Sequence, residues 1–213
     1  MPRPRNQAER RAQLIDAAAR AVISTGATAL KLRDVAAEAK VTPASVLYYY
    51  SDLQELFSAV FQHAAATYLD TRKEAIAAAE GPVEQLRACI RSGVPWPGAG
   101  EQSTRLLFEL FPVALRNEAV GQAHQVFVDQ QTDLYRQVLA HGEDSGHFTL
   151  TAAPRALGRS FVALEDGYAM DLLIGTATAD EIETRLLAHA RTATGNPAFA
   201  ETRPTATPTN TPR

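Results

Sequence analysis

The sequence predicts an all-α protein with a small N-terminal domain and a larger helical body. Apolar residues recur at spacings of three and four along most of the chain, which is the period of an amphipathic helix. No stretch alternates as a strand would, and no segment repeats. Residues 1–50 hold eight Lys and Arg against four Asp and Glu, whereas residues 51–213 hold 13 against 20. A basic N-terminal region on an acidic body indicates that only one end of the protein approaches a polyanion.

The first helix is expected to be capped by Asn6 and to end before Gly26, with apolar residues at helical spacing between them. The preceding arm, residues 1–6, places Arg3 between two prolines and Arg5 directly after the second, and it is expected to be extended. Its arginines would reach a minor groove or phosphates. The alternative is a disordered tail that contacts nothing.

Residues 32–57 predict a short helix, a tight turn, a second short helix and the start of a long helix. Thr42 followed by Pro43 is a helix start signal, because the Thr hydroxyl accepts from an unpaired N–H and Pro at the first position loses no hydrogen bond. This second helix begins with the small residues Ala44 and Ser45 and ends with tyrosines. Small residues allow close approach to base edges, as at the start of a recognition helix in a helix-turn-helix.

The same region resembles the DNA-binding domain of the TetR family of bacterial transcriptional regulators. The family pattern IA..AGVS.GTLY.YF.SKEEL is matched at Val35-Ala36, Ala39, Val41-Thr42, Ser45-Val46, Tyr49-Tyr50 and Glu55-Leu56. The resemblance implies that DNA is contacted by Arg33, Thr42, Pro43, Ala44, Ser45, Tyr48 and Tyr49. The alternative for these residues is a solvated helix face, with Tyr49 partly in the core.

Three positions depart from the family pattern. Lys40 stands where the turn usually has Gly, so a positive φ is expected there at a cost of about 1 kcal/mol. Tyr48 replaces a frequent His, and Leu53 replaces a frequent phosphate-binding Lys. Ser51 and Gln54 are expected to form a capping box for the next helix.

A long fourth helix, residues 52–79, is expected to connect the N-terminal domain, residues 1–57, with the body, residues 58–195. Its length of about 40 Å suits a lever between the two domains. Five further helices are expected at residues 82–92, 103–117, 118–144, 151–173 and 178–195. The tail, residues 196–213, is rich in Thr and Pro and is expected to be disordered.

The body holds more aromatic residues than a minimal core requires, and the resemblance implies an effector pocket bounded by helices five to eight. The candidate lining residues are Trp96, Phe108, Phe111, Phe127 and Tyr168. For each of them ordinary packing is the alternative. Glu109, Asp166 and Asp171 would bind a cationic ligand if they faced inward, although charged residues on helices are commonly solvated.

The last two helices are expected to pair with their copies in a homodimer. A stripe at helical spacing could form the seam if the internal core does not use it; its residues are Leu157, Phe161, Leu164, Leu172, Ile182 and Leu186. Ala163 and Gly167 on an adjacent face would allow close helix approach. A symmetric dimer implies a palindromic double-stranded DNA operator with half-sites about one helical turn apart.

Other chemistries have little support in the sequence. His141, Glu143, Asp144 and His147 resemble metal ligands, but a solvated helix end explains them better because no histidine pair has i, i+4 spacing. No metal, cofactor or catalytic motif is predicted. No apolar run reaches membrane-spanning length and residues 1–7 lack an apolar signal segment, so a soluble cytoplasmic protein without a membrane partner is expected.

These observations together predict a DNA-binding transcriptional regulator, most simply a repressor released from its operator by a small-molecule effector. Two alternatives stay open. The first is an architectural DNA-binding protein without an effector, and the second is a helical ligand carrier or enzyme that does not bind DNA.

Overall fold

The computed structural model describes residues 4–199 of the chain, without the side chains of residues 4–6, and all regular secondary structure in this part is helical. The prediction of an all-α fold is confirmed. Within residues 4–199 there are nine α-helices and one short 3-10 helix, η1. The helices are α1 (Pro4–Thr25), α2 (Leu32–Glu38), α3 (Pro43–Tyr49), α4 (Leu53–Ala77), α5 (Gly81–Gly93), α6 (Ala99–Ala114), α7 (Glu118–Asp144), α8 (Pro154–Leu173), α9 (Ala179–Thr194) and η1 (Pro197–Phe199).

Helices α2 and α3 form the predicted helix-turn-helix, and α3 has the bounds expected from the sequence. The Thr42 hydroxyl accepts from the Ser45 N–H at 3.2 Å, and Pro43 occupies the first turn. In the turn, Lys40 has a φ of 55°, as its place at the usual Gly position predicts. The Val41 N–H then donates to the Ala36 carbonyl at 2.9 Å and closes the turn.

Lys40→Gly is expected to raise the free energy of unfolding by about 0.5 to 1 kcal/mol, because a side chain at positive φ crowds its own backbone. Urea unfolding at neutral pH measures the change. Lys40→Ala retains the Cβ and should differ from the parent by only a few tenths of a kcal/mol. A glycine variant no more stable than the alanine variant would contradict the assignment of strain to this turn.

The N-terminal caps of α1 and α4 differ from the prediction. Helix α1 begins at Pro4, so Asn6 lies inside the helix and does not cap it. Residues 4–6 are therefore helical and not extended, while Arg3 lies outside the described residues. Helix α4 is capped by Asp52, whose side chain accepts from the Glu55 N–H at 2.8 Å, and not by Ser51.

The body helices follow the predicted order with shifted ends. Helix α6 begins at Ala99 and contains Pro112, which leaves a loop of only residues 94–98 before it. Helix α8 begins at Pro154, whereas the capping box of Thr178 and Glu181 opens α9 as predicted. The predicted disordered tail is wrong for its first residues, because η1 packs against the body and buries Phe199. Residues 200–213 lie outside the described residues.

Two hydrophobic clusters divide the interior. The head cluster joins α1–α4 to α6 and the first half of α7, and it includes Phe57, Leu110 and Phe127. The body cluster joins α5, the second half of α7, α8, α9 and η1. The head cluster therefore continues across the domain boundary expected near Phe57. None of the described helices has the length and apolar character to cross a membrane.

The stripe predicted as a dimer seam is largely internal to one chain. Leu157, Phe161, Ile182 and Leu186 are buried in the body cluster, and Leu164 and Leu172 pack against it half-buried. The reason is that the most apolar face of α8 packs on α7 of the same chain, where the Phe161 ring stacks on Tyr135 at 4.6 Å between centroids. The four buried side chains are therefore enclosed within one chain, whereas Leu164 and Leu172 are only partly covered.

Candidate DNA-binding surface and effector cavity

Helix α3 presents most of its side chains to solvent and buries only Val46. Thr42, Pro43 and Ala44 are exposed at its start, and Ser45 is half-buried with its hydroxyl 2.9 Å from that of Thr42. At its other end the Tyr48 side chain is 65% exposed. The structure thus brings the candidates on this helix onto one short exposed surface of hydroxyl-bearing and small residues, the kind that contacts phosphates and base edges.

Tyr49 and Arg33 have different surroundings from the rest of this surface. Tyr49 is half-buried against the head cluster, and its ring meets the Tyr48 ring edge-on at 5.0 Å between centroids. Arg33 lies on α2 with an exposed side chain 3.6 Å from Asp34. Both remain accessible, and a charge pair this exposed is weak enough to exchange for a phosphate.

Arg11 fixes the end of α3, a role that the sequence analysis missed. Its Nη1 donates to the Tyr49 carbonyl at 2.7 Å, and its guanidinium lies 4.3 Å from the centroid of the Tyr50 ring. The Tyr50 hydroxyl donates to the Arg11 carbonyl at 3.3 Å, and burial raises the pKa of this phenol. Tyr50 is a core residue, and the recognition helix is anchored to α1 through Arg11.

A cavity of about 290 Å³ lies between α4, α6, α7 and α8. This volume suits a small organic ligand. Its walls are mostly aromatic and aliphatic, and polar side chains come from α6, α7 and α8. The lining residues are Phe61, Tyr68, Gly93, Thr104, Leu107, Phe108, Phe111, His124, Phe127, Gln131, Glu165, Asp166, Gly167, Ala169 and Met170.

Of the five residues predicted to line a pocket, Phe108, Phe111 and Phe127 do so. Trp96 does not, because its indole N–H donates to the Arg91 carbonyl at 3.0 Å and its ring packs under the Arg91 guanidinium. Tyr168 packs against the body cluster instead, with Arg185 at 5.4 Å from its ring centroid. Both aromatic residues serve the outer packing of the body.

Beside the cavity lies a buried polar cluster that the sequence analysis missed. Arg72 on α4 forms an ion pair with Glu165 on α8, and their side chains are 0% and 4% exposed. Arg72 also donates to the Cys89 carbonyl at 2.9 Å and to Gln131 Oε1 at 3.1 Å. Tyr135 donates to Glu165 Oε1 at 2.5 Å. The cluster therefore ties α4, α5, α7 and α8 together.

Gly93 leaves room for this ion pair. A Cβ atom at that position would overlap both the Glu165 carboxylate and the Arg72 guanidinium. The other carboxylate oxygen, Glu165 Oε2, is buried without a hydrogen-bond partner. Among the described residues it is the one buried side-chain polar atom without such a partner, although buried polar atoms are nearly always paired.

Burial sets the protonation of the groups around the cavity. It raises the pKa of Glu165, an effect that Arg72 opposes, while Glu165 holds the pKa of Arg72 well above its usual value despite burial. Burial and Glu165 also raise the pKa of Tyr135, so its phenol remains a donor. Burial raises the pKa of the Cys89 thiol to about 12, which leaves it unreactive as a nucleophile.

His124 and Asp166 also line the cavity. Burial lowers the pKa of His124, which favours a neutral imidazole at neutral pH. Asp166 is accessible to solvent, yet the protein around its carboxylate raises its pKa, an effect that Arg159 opposes. Of the three acidic residues suggested for a cationic ligand, Asp166 lines the cavity, whereas Glu109 and Asp171 do not.

The histidine-containing cluster at the end of α7 is engaged in ordinary hydrogen bonds. His141 Nδ1 lies 3.1 Å from Gln85 Oε1, and His147 Nδ1 lies 3.0 Å from the Ser145 hydroxyl. Among residues 4–199 no group of three or more His, Cys, Asp or Glu side chains is arranged to hold a metal ion.

Two family models match the chain. The first, bacterial regulatory proteins of the tetR family, matches residues 14–60, and the second, the C-terminal domain of BetI-type transcriptional repressors, matches residues 82–195. The residues between the two matches, 61–81, comprise most of α4, the turn that follows it and the first residue of α5. None of the curated proteins matches the chain.

Solved structures share the fold at low sequence identity. A TetR-family transcriptional regulator from Rhodococcus sp. is 18% identical with a TM-score of 0.79, over 87% of this chain and 98% of that one. A regulator from Saccharomonospora viridis in complex with choline is 16% identical with a TM-score of 0.78, over 84% and 94%. AibR, in complex with isovaleryl coenzyme A and operator DNA, is 16% identical with a TM-score of 0.65, over 83% and 95%.

Proposed function

Because the chain belongs to the TetR family of bacterial regulatory proteins, we propose that it represses transcription by binding an inverted-repeat operator as a homodimer and that a small-molecule effector releases it. The observation that carries this proposal is the course of α4. Its first turns place Leu56 and Phe57 in the head cluster beside α3, and its later turns place Phe61 and Tyr68 in the cavity wall. A change in the cavity is therefore connected to the head cluster, to which α3 belongs, through one continuous helix.

The structures of relatives support the two halves of the proposal. One was solved with choline and another with isovaleryl coenzyme A and operator DNA. In the present chain the cavity can hold a small ligand, and α3 presents a surface suited to a major groove. Helix α4 would have two positions, one that allows DNA binding and one that does not. A ligand that binds the second state more tightly would lower the affinity for DNA, and the size of the change is set by the ratio of the ligand's affinities for the two states.

Dimerisation is proposed through the exposed face of α8, together with α9. This face carries small and apolar residues at helical spacing, with Ala163 exposed, Met170 52% exposed and Ile174 69% exposed. A Cβ atom added at Gly167 would meet nothing within 4 Å in one chain, which leaves space for a partner helix. We call these four residues the α8 seam. They lie beside the buried stripe, on the face where Ala163 and Gly167 were expected to permit close approach.

Selection of bound duplexes from a random DNA pool tests the proposal. Recovery of an inverted repeat, with half-sites about one helical turn apart or a multiple of it, would support a dimeric regulator. If no sequence is enriched in the pool, and the affinity for every duplex falls equally as the salt concentration rises, an architectural DNA-binding protein is favoured. A folded protein that retains no duplex would contradict the proposal and favour a ligand carrier.

Tyr49→Phe is expected to weaken binding to the selected operator by about tenfold, because it removes one phenol donor to a phosphate while the ring stays packed. Fluorescence anisotropy with labelled duplex measures the affinity. Tyr168→Phe removes a phenol from the body and serves as the matched control, with no expected change. Equal operator affinity in the Tyr49 variant and the parent would remove this residue from the contact surface.

A further inference from the structure

We infer that Leu47, on helix α3, contacts the methyl group of a thymine in the major groove and so specifies a T·A pair at one position of each operator half-site. This inference rests on the proposed function, because it concerns the sequence that the DNA-binding surface recognises. It goes further by assigning one side chain to one kind of base, through a contact without a hydrogen bond. Leu47 is not among the residues that the sequence analysis expected to contact DNA.

The first argument is the exposure of a large apolar side chain on a surface that binds DNA. Among residues 4–57, as far as the structure describes their side chains, the exposed large apolar residues are Leu47 at 46% and Tyr48 at 65%. Tyr48 carries a hydroxyl that can donate to a phosphate, whereas the Leu47 side chain has no polar atom. Leu47 therefore gains nothing from the phosphates that Tyr48 can bind, and its partner must be apolar.

The second argument is the place of Leu47 on the helix. Successive residues of an α-helix are turned by about 100°, so Pro43, Ala44 and Leu47 lie within an arc of about 100°. All three are exposed, and Val46, the residue that α3 buries, lies outside this arc. Pro43 and Ala44 are at the start of the helix, where small side chains allow close approach to base edges. Leu47 lies one turn further along the same face, so a helix inserted by its start brings Leu47 against the neighbouring bases.

The third argument is the chemistry of the groove. Base edges in the major groove present donors and acceptors, and the apolar group among them is the C5 methyl of thymine. A leucine set against the amino and carbonyl groups of the other bases would take them out of water without replacing their hydrogen bonds, which costs free energy. Against thymine the same side chain covers a methyl group, which is favourable. Leu47 therefore favours thymine over the other three bases.

Replacement of thymine by deoxyuridine tests the inference, because it removes the methyl group and leaves the hydrogen-bonding groups of the base pair in place. Symmetric pairs of thymines in the selected operator are replaced one pair at a time, and fluorescence anisotropy measures the affinity of the full-length protein. At one pair we expect a loss of about fourfold per half-site, and of at least about tenfold for both half-sites together. The inference is overturned if every replacement leaves the affinity within about twofold of its original value.

The variant Leu47→Ala assigns the methyl contact to this side chain. Circular dichroism first establishes that it is folded. Its affinity for the unmodified operator should fall by at least about tenfold, and the deoxyuridine pair that weakened binding by the parent should now change its affinity by less than about twofold. A deoxyuridine effect that is equal in the variant and the parent would show that another residue contacts the methyl group, and the inference would fail.

Val126→Ala is the matched control for the loss of aliphatic surface. Val126 lies on α7, outside the DNA-binding helices, and its side chain is 56% exposed. This variant should bind the operator as the parent does and should retain the full effect of deoxyuridine. A reduced deoxyuridine effect in this control would show that the coupling is not specific to Leu47 and would contradict the assignment.

A second variant, Leu47→Asn, provides a result that a change in stability alone would not produce. Selection with this variant should recover the same inverted repeat except at the sensitive pair, where thymine is no longer enriched, because an amide bonds to polar base edges. A uniform loss of affinity with thymine still enriched at that pair would indicate a structural role for Leu47 and overturn the inference.

Failure of this inference is distinguishable from failure of the proposed function. If an inverted repeat is selected and no thymine methyl group depends on Leu47, the regulator stands and the assignment of Leu47 is wrong. If no duplex is enriched by the folded protein, the proposed function fails, and the inference fails with it.

Discussion

Glu165→Gln is expected to lower the free energy of unfolding by about 3 to 5 kcal/mol, because it leaves the guanidinium of Arg72 buried without a counter-ion. Arg72 cannot escape by losing its proton, since arginine stays charged at every pH at which the protein is folded. Urea unfolding measures the loss. The variant with both Arg72→Met and Glu165→Gln removes the two charges together and should recover most of it. If the free energy of unfolding lost in the double variant equals the sum of the losses in the two single variants, the two residues do not interact.

Arg72→Met should behave differently because Glu165 can take up a proton. Burial raises the pKa of Glu165 above its ordinary 4.5, and loss of Arg72 removes the main opposing effect. A carboxyl with a raised pKa in the folded state binds more protons there than in the unfolded chain, so stability falls as pH rises from the ordinary value to the raised one. The loss in free energy of unfolding caused by Arg72→Met is therefore expected to be small near about pH 4 and largest near about pH 8. The cost of Glu165→Gln should change little over the same range, which provides the control.

The second large effect is expected from charges placed in the α8 seam. Ala163→Glu combined with Ile174→Glu should convert the proposed homodimer to a monomer, because the two-fold axis would bring four added carboxylates together. Operator affinity should then fall by at least about 100-fold, since the second head no longer binds as part of the same molecule. Analytical ultracentrifugation and gel shift with the selected operator measure the two losses.

Gln125→Glu adds an exposed charge to α7 and should leave both dimerisation and operator affinity unchanged. Circular dichroism of the seam variant should match that of the parent, because Ala163 and Ile174 are exposed within one chain. A folded seam variant that stays dimeric would place the subunit interface on another face.

Features governed by local chemistry could be predicted from the sequence. Thr42 and Pro43 define the start of α3 through groups that lie within three residues of one another, and Thr178 with Glu181 does the same for α9. The φ of Lys40 followed from its place in the turn. At the start of α4 two neighbouring residues, Ser51 and Asp52, can both cap. The structure has Asp52 as the cap, and sequence spacing alone does not distinguish the two residues.

Features governed by contacts across the chain were harder to predict. Helical spacing identified the apolar face of α8 but not the surface it packs against, so Phe161 was expected at a subunit interface and lies in the chain's own core. Arg72 and Glu165 are 93 residues apart, and neither was singled out from the sequence. A signal was present: Arg72 follows Leu69 and Glu165 lies between Phe161 and Ala169 at helical spacing, so each charge interrupts an apolar stripe. A charged residue in that position predicts a buried partner.

The continuity of the head cluster across Phe57 changes where the molecule can bend. Because α6 packs against α1 and α4, the DNA-binding helices and α6 share one hydrophobic cluster and form a first block, while α5, α8 and α9 share the other cluster and form a second block. Helix α4 passes from the first block to the second between Leu69, in the head cluster, and Ile76, against the body cluster. Arg72 lies between them. Bending between the two blocks is therefore expected about four turns of helix beyond the boundary that the sequence suggests, at the position of the ion pair beside the cavity.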